Sequence, residues 1–307
     1  MSNVEQVFVL GAPRSGTTFL ASLLEHTRFK APFETHFITK YYKRLNSYGD
    51  INQLSNFSKL LADILSERAV MQWKLDINPE ALFSQFNGSV TFPALVDKLC
   101  LMQDPDKSTN CWGDKTPHYL MDLELVYELF PNAKYVYIVR DGRDVALSLL
   151  EKEWGPNNVY TCAEYWRELN RDRPLLKEML DKGQLIQLHY EDLLDNTEGF
   201  IRQVYEFLGE PCDESVVKTL ASTTKKGNYH KWKTRLSERQ KKVFDNVAGE
   251  TLAKYGYETL GSNGNTGGLA RLLYKAHDKL IWLLFMFKTN VIDGIKIKFF
   301  GKDPFAD

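Results

Sequence analysis

Gly11 and Gly16 bound the loop Gly11-Ala12-Pro13-Arg14-Ser15-Gly16-Thr17-Thr18, set between the apolar run Val7-Phe8-Val9-Leu10 and the helix-patterned Phe19-Leu20-Ala21-Ser22-Leu23-Leu24. Strand, glycine-bounded turn and helix in that order predict a loop whose backbone N–H groups converge on a phosphate, backed by the positive end of the helix. The Gly-x4-Gly spacing matches the phosphate loop of nucleoside-triphosphate-binding proteins, but Thr17 stands where that loop has lysine. A cradle without the lysine that reaches a γ-phosphate is built for a different phosphorylated ligand. Ser15, Gly16, Thr17 and Thr18 form its donor edge, and Arg14 adds a guanidinium that can fork two anionic oxygens.

The same strand-then-helix order recurs. Lys134–Val139 and Gln184–His189 read as further buried strands, and Gly16–His26, Asp144–Leu150 and Thr197–Leu208 as the helices that follow the three. This order predicts an α/β fold: a doubly wound, mostly parallel sheet in three α/β/α layers, with ligands at the carboxyl ends of the strands. Residues 37–110 carry many aromatics and short amphipathic pieces such as Phe57–Met71, broken by Asn-Pro and Asn-Gly, and read as a helical insertion on the acceptor side. Ser237-Glu238-Arg239-Gln240 predicts a capping box opening a helix to about Tyr255.

The organisation expected is one domain over 1–260, a flexible Gly/Ser/Asn linker over 261–268 and a basic amphipathic tail over 269–307. In the tail, Leu269, Leu272, Leu273, Ala276, Leu280, Leu283, Leu284 and Phe287 fall at helical spacing. Its apolar run Leu280–Phe287 is too short to span a bilayer, so the tail is expected to lie on a membrane surface, dock on a partner, or pack on its own domain or a second copy of itself.

Net charge is −1, which gives no basic field for nucleic acid. The 4 cysteines (Cys100, Cys111, Cys162, Cys212) form no CxxC and no ligand spacing with the 6 histidines, so free thiols and no metal site are expected. The first strand begins within a few residues of Met1, leaving no room for a leader ahead of it. Together these give a cytoplasmic location, at the membrane surface if the tail binds lipid, as the expectation.

A second constellation follows Tyr135-Val-Tyr-Ile-Val139: Arg140-Asp141-Gly142-Arg143-Asp144, then Ser148. In a nucleoside triphosphatase such a strand ends in a magnesium-holding Asp. Here the next residue is Arg140, which suits a second phosphate, with Ser148 able to add a hydroxyl. Taken alone, the alternating charges read as surface ion pairs. With the lysine-less cradle they suggest a ligand with two separate phosphates and no obligatory magnesium.

Pro13-Arg-Ser-Gly-Thr-Thr-Phe-Leu20 and Tyr137-Ile-Val-Arg-Asp-Gly-Arg-Asp-Val-Ala-Leu-Ser148 closely resemble the 5′- and 3′-phosphate motifs of the sulfotransferase family. His189-Tyr190-Glu191-Asp192-Leu193 and Phe207-Leu208-Gly209 look like its third landmark, so the resemblance runs over roughly residues 6–258. It implies a P-loop-like fold and 3′-phosphoadenosine 5′-phosphosulfate (PAPS) as donor, with the bisphosphate PAP as product and no metal. It further implies that Arg14, Thr17 and Thr18 hold the 5′-phosphosulfate, that Arg140 and Ser148 hold the 3′-phosphate, and that Tyr190 lies near the adenine.

The resemblance also implies the catalytic groups. Glu34, in Pro32-Phe33-Glu34-Thr35-His36, lies at about the distance after Arg14 where protein-tyrosine and glycan sulfotransferases carry a base glutamate; Glu-Thr is similar to the tyrosylprotein branch in particular. His36 is the rival base, since the small-molecule branch uses histidine, with Asp76 and His118 behind it. Lys115, read as sitting beside a Trp112-Gly113 turn, matches a lysine that neutralises the leaving phosphate. Lys225-Lys226-Gly227 and His230-Lys231-Trp232-Lys233 form a basic, aromatic stretch suited to closing over the 3′-phosphate and adenine, with Lys231 singled out.

The activity expected is in-line transfer of a sulfuryl group to a hydroxyl or amine of a glycan or lipid-linked saccharide. A tyrosyl or small phenolic acceptor is the alternative. A P-loop small-molecule kinase fails at Thr17 and Arg140. A non-catalytic nucleotide sensor is disfavoured by the presence of both Glu34 and Lys115.

Overall fold

β1 (Glu5–Gly11) is buried along all but its first residue, and its neighbours β2 (Cys111–Asp114) and β3 (Lys134–Val139) are nearly as deep. With β4 (Leu185–His189) they form a parallel sheet in the order β2-β1-β3-β4. Parallel strands are covered on both faces, which is why these runs read as apolar throughout rather than alternating. Phe8 is fully buried in this sheet, its ring stacked on Tyr135 at 5.5 Å and edge-on to Trp112 at 5.5 Å.

The computed structural model describes residues 4–30, 34–103, 110–224, 227–261, 264 and 266–289. In chain order its helices are α1 (Thr17–Leu24), α2 (Phe37–Tyr42), α3 (Leu54–Leu65), α4 (Arg68–Met71), α5 (Pro79–Ser84), α6 (Phe92–Leu101), α7 (Leu123–Leu129) and α8 (Gly142–Leu150). They continue with α9 (Val159–Leu169), α10 (Pro174–Asp181), α11 (Tyr190–Asp195), α12 (Thr197–Leu208), α13 (Glu214–Thr223), α14 (Trp232–Arg235), α15 (Glu238–Lys254) and α16 (Gly268–Phe287).

The chain divides into two compact units. The first joins residues 1–139 to 173–226 and holds the whole sheet, flanked by helices as an α/β fold. Between β1 and β2, α3 packs on α4 and α5, while α2 packs on α7 and α6 on β2. The piece expected over Phe57–Met71 is broken at Ser66-Glu67 into α3 and α4, and Phe57, Leu60, Leu61 and Ile64 of α3 are buried at helical spacing.

One expectation is corrected here. Trp112-Gly113 forms no turn but lies inside β2, Gly113 paired with Val7. Trp112 is buried and its Nε1 donates to Asp97 at 2.8 Å. A glycine inside a strand marks close approach rather than reversal: a Cβ on Gly113 would stand 3.3 Å from a Leu24 methyl and 3.4 Å from the Val7 carbonyl oxygen.

The second unit joins residues 140–172 to 227–307, with α8, α9 and α15 as its core. Gly142 opens α8 where no side chain fits, since a Cβ would lie 2.4 Å from Trp166 and 2.8 Å from Phe244. The capping box holds: Ser237 Oγ accepts from the Gln240 N–H, and Gln240 Oε1 accepts from the Ser237 N–H at 2.9 Å. All four cysteines are free thiols.

Candidate active site

The loop after β1 is shaped by two close approaches. A Cβ on Gly11 would stand 2.7 Å from the Ile138 carbonyl oxygen, so only glycine lets β1 end beside β3. Gly16 has φ 99°, a left-handed conformation, and its Cα faces the Tyr190 ring so closely that a Cβ would lie 2.6 Å from Cδ2. Tyr190 therefore packs on this loop. Thr17 is buried and begins α1, Thr18 is exposed, and no acidic residue occupies the helix's first turn.

Ser15 is fully buried and its Oγ meets no hydrogen-bond partner among the described residues. A buried hydroxyl left unsatisfied costs about 1–3 kcal/mol. An anion accepting that hydrogen bond removes the cost, so the donor set fits a phosphate. Arg14 is exposed with φ 73°.

Glu34 and Lys115 meet directly. Lys115 lies just past the end of β2, only 15% exposed, and its Nζ donates to Glu34 Oε1. His36 Nε2 lies 2.9 Å from the other carboxylate oxygen. Burial pushes the Glu34 carboxyl up, but the hydrogen bonds from His36 and Lys115 and their charges outweigh it and hold it at about 2. His36 is thus a partner of Glu34 rather than a separate site. Its ring is 6.2 Å from that of His118, which burial draws below the usual histidine value. Asp76 is exposed between α4 and α5. Pro32 and Phe33 lie outside the described residues.

Beneath this cluster is a support that the sequence did not reveal. Asp114, the last residue of β2, is fully buried, and its Oδ2 accepts from the Thr35 N–H at 3.3 Å. Thr35 Oγ1 and Tyr119 Oη are 2.6 Å apart, and the Ile38 N–H donates to the same phenol at 3.1 Å. Burial lifts Asp114 to about 6, against the pull of its Thr35 contacts. The segment that follows Glu34 is therefore pinned at Thr35 and Ile38.

In the second unit, Arg140 follows β3 directly in the chain and is 6% exposed. Its Nη2 donates to the Asn228 carbonyl at 2.9 Å, and its own carbonyl accepts from Trp166 Nε1 at 3.1 Å. The neighbouring charges are no surface pair. Arg143 donates to both carboxylate oxygens of Asp141 at 2.9 and 2.7 Å, with side chains 1% and 2% exposed. The indole of Trp232 stacks on the guanidinium at 3.5 Å, and the Trp232 N–H donates to Asp144 Oδ1 at 2.9 Å. Trp166, Phe244 and Trp232 come from distant parts of the chain and bury what a local reading leaves in water.

Ser148 is half-buried on α8, one turn after Asp144 and so on the same face. Lys231 is half-buried at the N-cap of α14, in the loop that Arg140 and Asp144 tether. Lys225 and Lys226 lie outside the described residues.

Non-glycine residues with left-handed φ cost of order 1–3 kcal/mol and gather at functional sites. Among the described residues Arg14, His36 and His230 are such, one in each segment just described, beside Lys30, Lys74 and Asn87 elsewhere.

A family model described as "Sulfotransferase family" matches residues 6–214. The chain belongs to the sulfotransferase family. A protein-tyrosine sulfotransferase A from Caenorhabditis elegans is 24% identical over 217 residues, covering 69% of this chain and 51% of that protein. An omega-hydroxy-beta-dihydromenaquinone-9 sulfotransferase from Mycobacterium tuberculosis is 26% identical over 161 residues, covering 47% and 40%. The chain thus spans about half the length of these curated relatives, or less. The solved sulfotransferase domain from the curacin biosynthetic pathway superposes with a TM-score of 0.54 at 21% identity, over 84% of this chain and 99% of that one, and shares the P-loop-like fold.

For this sulfotransferase-family chain, the sequence motifs single out Arg14, Glu34, Lys115, Arg140 and Tyr190 as candidates. The residues that brace two of these segments, Asp114 and Tyr119 at Thr35 in the first unit and Arg143 with Trp232 beside Arg140 in the second, carry no motif of their own. The available signal was weak: an acid immediately before Lys115, and a tryptophan inside a basic stretch.

Proposed function

We propose that the chain is a sulfotransferase that uses PAPS as donor and a hydroxyl as acceptor. The observation that carries this reading is the Glu34–Lys115 pair at the end of β2, which sets a carboxylate and an ammonium together as a base and a charge stabiliser require. Ser15, Thr17, Thr18 and Arg14 would hold the 5′-phosphosulfate, Arg140 and Ser148 the 3′-phosphate, Tyr190 the adenine side, and Lys231 the basic loop near it. The donor, when bound, supplies a sulfuryl group attached to a phosphate leaving group.

Held at about 2 by Lys115 and His36, Glu34 is a weak base. Lys115 has two calls on its charge, Glu34 and the departing phosphate oxygen. Turned toward the phosphate, it withdraws a hydrogen bond and a positive charge from Glu34, whose proton affinity rises. The base is therefore strongest when the donor is in place. His36 remains on the second oxygen and orients the carboxylate toward the acceptor hydroxyl.

For the acceptor, we infer a hydroxyl on a glycan or lipid-linked saccharide. A tyrosyl or phenolic hydroxyl is the second reading, favoured by the Glu34-Thr35 likeness to the tyrosylprotein branch and by the protein-tyrosine sulfotransferase among the relatives.

Calorimetric titration with adenosine 3′,5′-bisphosphate, against ATP with and without magnesium, tests the donor. Tight binding of the bisphosphate without metal is the expected outcome. Preference for magnesium-ATP overturns the reading.

A further inference from the structure

Amphipathic helices of folded domains ordinarily bury their apolar stripe. α16 does the reverse. It rests on the second unit through polar and aromatic positions: the Tyr274 ring stacks on Tyr160 at 5.3 Å and 6° between planes. Asp278 Oδ1 accepts from the Asn157 N–H at 2.6 Å and from Thr161 Oγ1 at 3.0 Å. Asn158 Nδ2 donates to the Tyr274 carbonyl at 2.9 Å.

Leu269, Leu272, Leu273, Leu280, Leu283, Leu284 and Phe287 are left between 49% and 72% exposed, and no residue of α16 is buried. At about 100° per residue they share one stripe roughly 120° wide, centred opposite the Tyr274–Asp278 edge and about 30 Å long. A stripe of that size on open surface marks an interaction site rather than chance exposure.

Charge decides what covers it. From Gly268 to Lys288 the cations Arg271, Lys275, Lys279 and Lys288 stand against one acid, Asp278, and that acid is turned into the unit. Lys275 and Lys279 flank the stripe on one side, His277 and Lys288 on the other. Lys275 and Lys288 reach Glu164 and Glu153 yet remain 59% and 49% exposed. Two copies packed stripe to stripe would set Lys275 and Lys279 of one copy beside cations of the other, with no acid on either rim of the stripe to relieve them. An anionic lipid surface complements the same rims, and lysine stems reach headgroup phosphates while the leucines enter the acyl boundary. No helix among the described residues is long and apolar enough to cross a membrane, which leaves α16 lying on one.

We propose that α16 is a membrane-surface helix that binds anionic bilayers through its leucine stripe and lysine rims. The test uses the full chain and vesicles of phosphatidylcholine alone or mixed equally with phosphatidylglycerol, read by flotation, with light scattering on the free protein. Binding to the mixed vesicles is expected, weaker by about tenfold or more on pure phosphatidylcholine and in Leu280→Glu/Leu283→Glu. Lys275→Gln/Lys279→Gln should lose several-fold and show a flatter salt dependence. Far-ultraviolet circular dichroism checks that each variant stays folded; these substitutions lie on an exposed face. Absence of vesicle binding, binding undiminished by the glutamate pair, or equal binding to neutral vesicles overturns the proposal. So does a dimer of the free chain that the glutamate pair dissolves while vesicle binding is absent, which would assign the stripe to a second copy.

Discussion

Two ion pairs sit in the segments that matter most, and they are built oppositely. Arg143 and Asp141 are sealed at 1% and 2% exposure, joined by two hydrogen bonds and capped by an indole. Lys115 and Glu34 are 15% and 38% exposed, joined by one contact, with His36 on the remaining oxygen. A sealed, bidentate, stacked pair has nowhere to go: it is a joint, and it steadies the segment that carries Arg140. An open pair can exchange partners, which a reacting base and its neighbouring cation must do. Burial and the number of contacts therefore set the two pairs apart, although each is one acid and one base, and the base proposed for the reaction belongs to the open one.

Breaking the two pairs should produce losses of different kinds. Glu34→Gln should lower kcat by about 10²–10⁴-fold, measured with saturating donor and a verified acceptor, leave affinity for the bisphosphate near wild type, and lower the unfolding midpoint only slightly at neutral pH, because the pair is open to solvent. Arg143→Ala should do the opposite. It removes the guanidinium that balances a buried carboxylate, at a cost of about 3–5 kcal/mol in urea denaturation, and weakens the bisphosphate only through the disturbed Arg140 segment. A large stability loss from Glu34→Gln, or a stable but inactive Arg143→Ala, would break the comparison.

A third substitution sharpens it through pH. Asp114, at about 6 in the fold, lies above its usual 3.8, so the folded chain holds a proton that the unfolded chain releases between those values. Its contribution to stability is fullest at low pH and is lost as pH rises from about 4 to about 6. Glu34, at about 2 against 4.5, has the opposite sign: its contribution is present above about 4.5 and lost as pH falls toward 2. Asp114→Asn keeps an acceptor for the Thr35 N–H. It should flatten the stability profile between about pH 4 and 6, read from urea midpoints, while Glu34→Gln flattens its slope below about pH 4.5.

The contrast also explains what could be read without a structure. The Gly11-to-Gly16 loop was legible because spacing, a preceding apolar strand and a following helix all constrain the same few residues. The alternation of strands and helices and the Ser237–Gln240 capping box are likewise local. β2 was not legible: it is only four residues long, and its glycine reads as a turn until Val7 is known to lie opposite. Asp141–Arg143 reads as surface charge because the groups that bury it, Trp166, Trp232 and Phe244, are far away in the chain. The Asp114–Thr35 link spans 79 residues, and no local pattern encodes it. Motifs name the groups that touch a ligand; the groups that hold those in place are fixed by tertiary packing.

The smallest effect is the most discriminating. Ser15 Oγ is buried without a partner, so in the free chain it contributes a cost rather than a contact. Ser15→Ala removes that cost together with the hydroxyl, and the unfolding midpoint should stay level or rise slightly. If the hydroxyl serves a phosphate, the same change should weaken the bisphosphate by about 0.5–1.5 kcal/mol, a few-fold to roughly tenfold in Kd. Stability and binding would then move in opposite directions at one atom, as neither ion pair allows. Unchanged bisphosphate affinity in Ser15→Ala would remove Ser15 from the cradle and leave the Thr17 and Thr18 hydroxyls, the loop N–H groups and Arg14 to hold the anion.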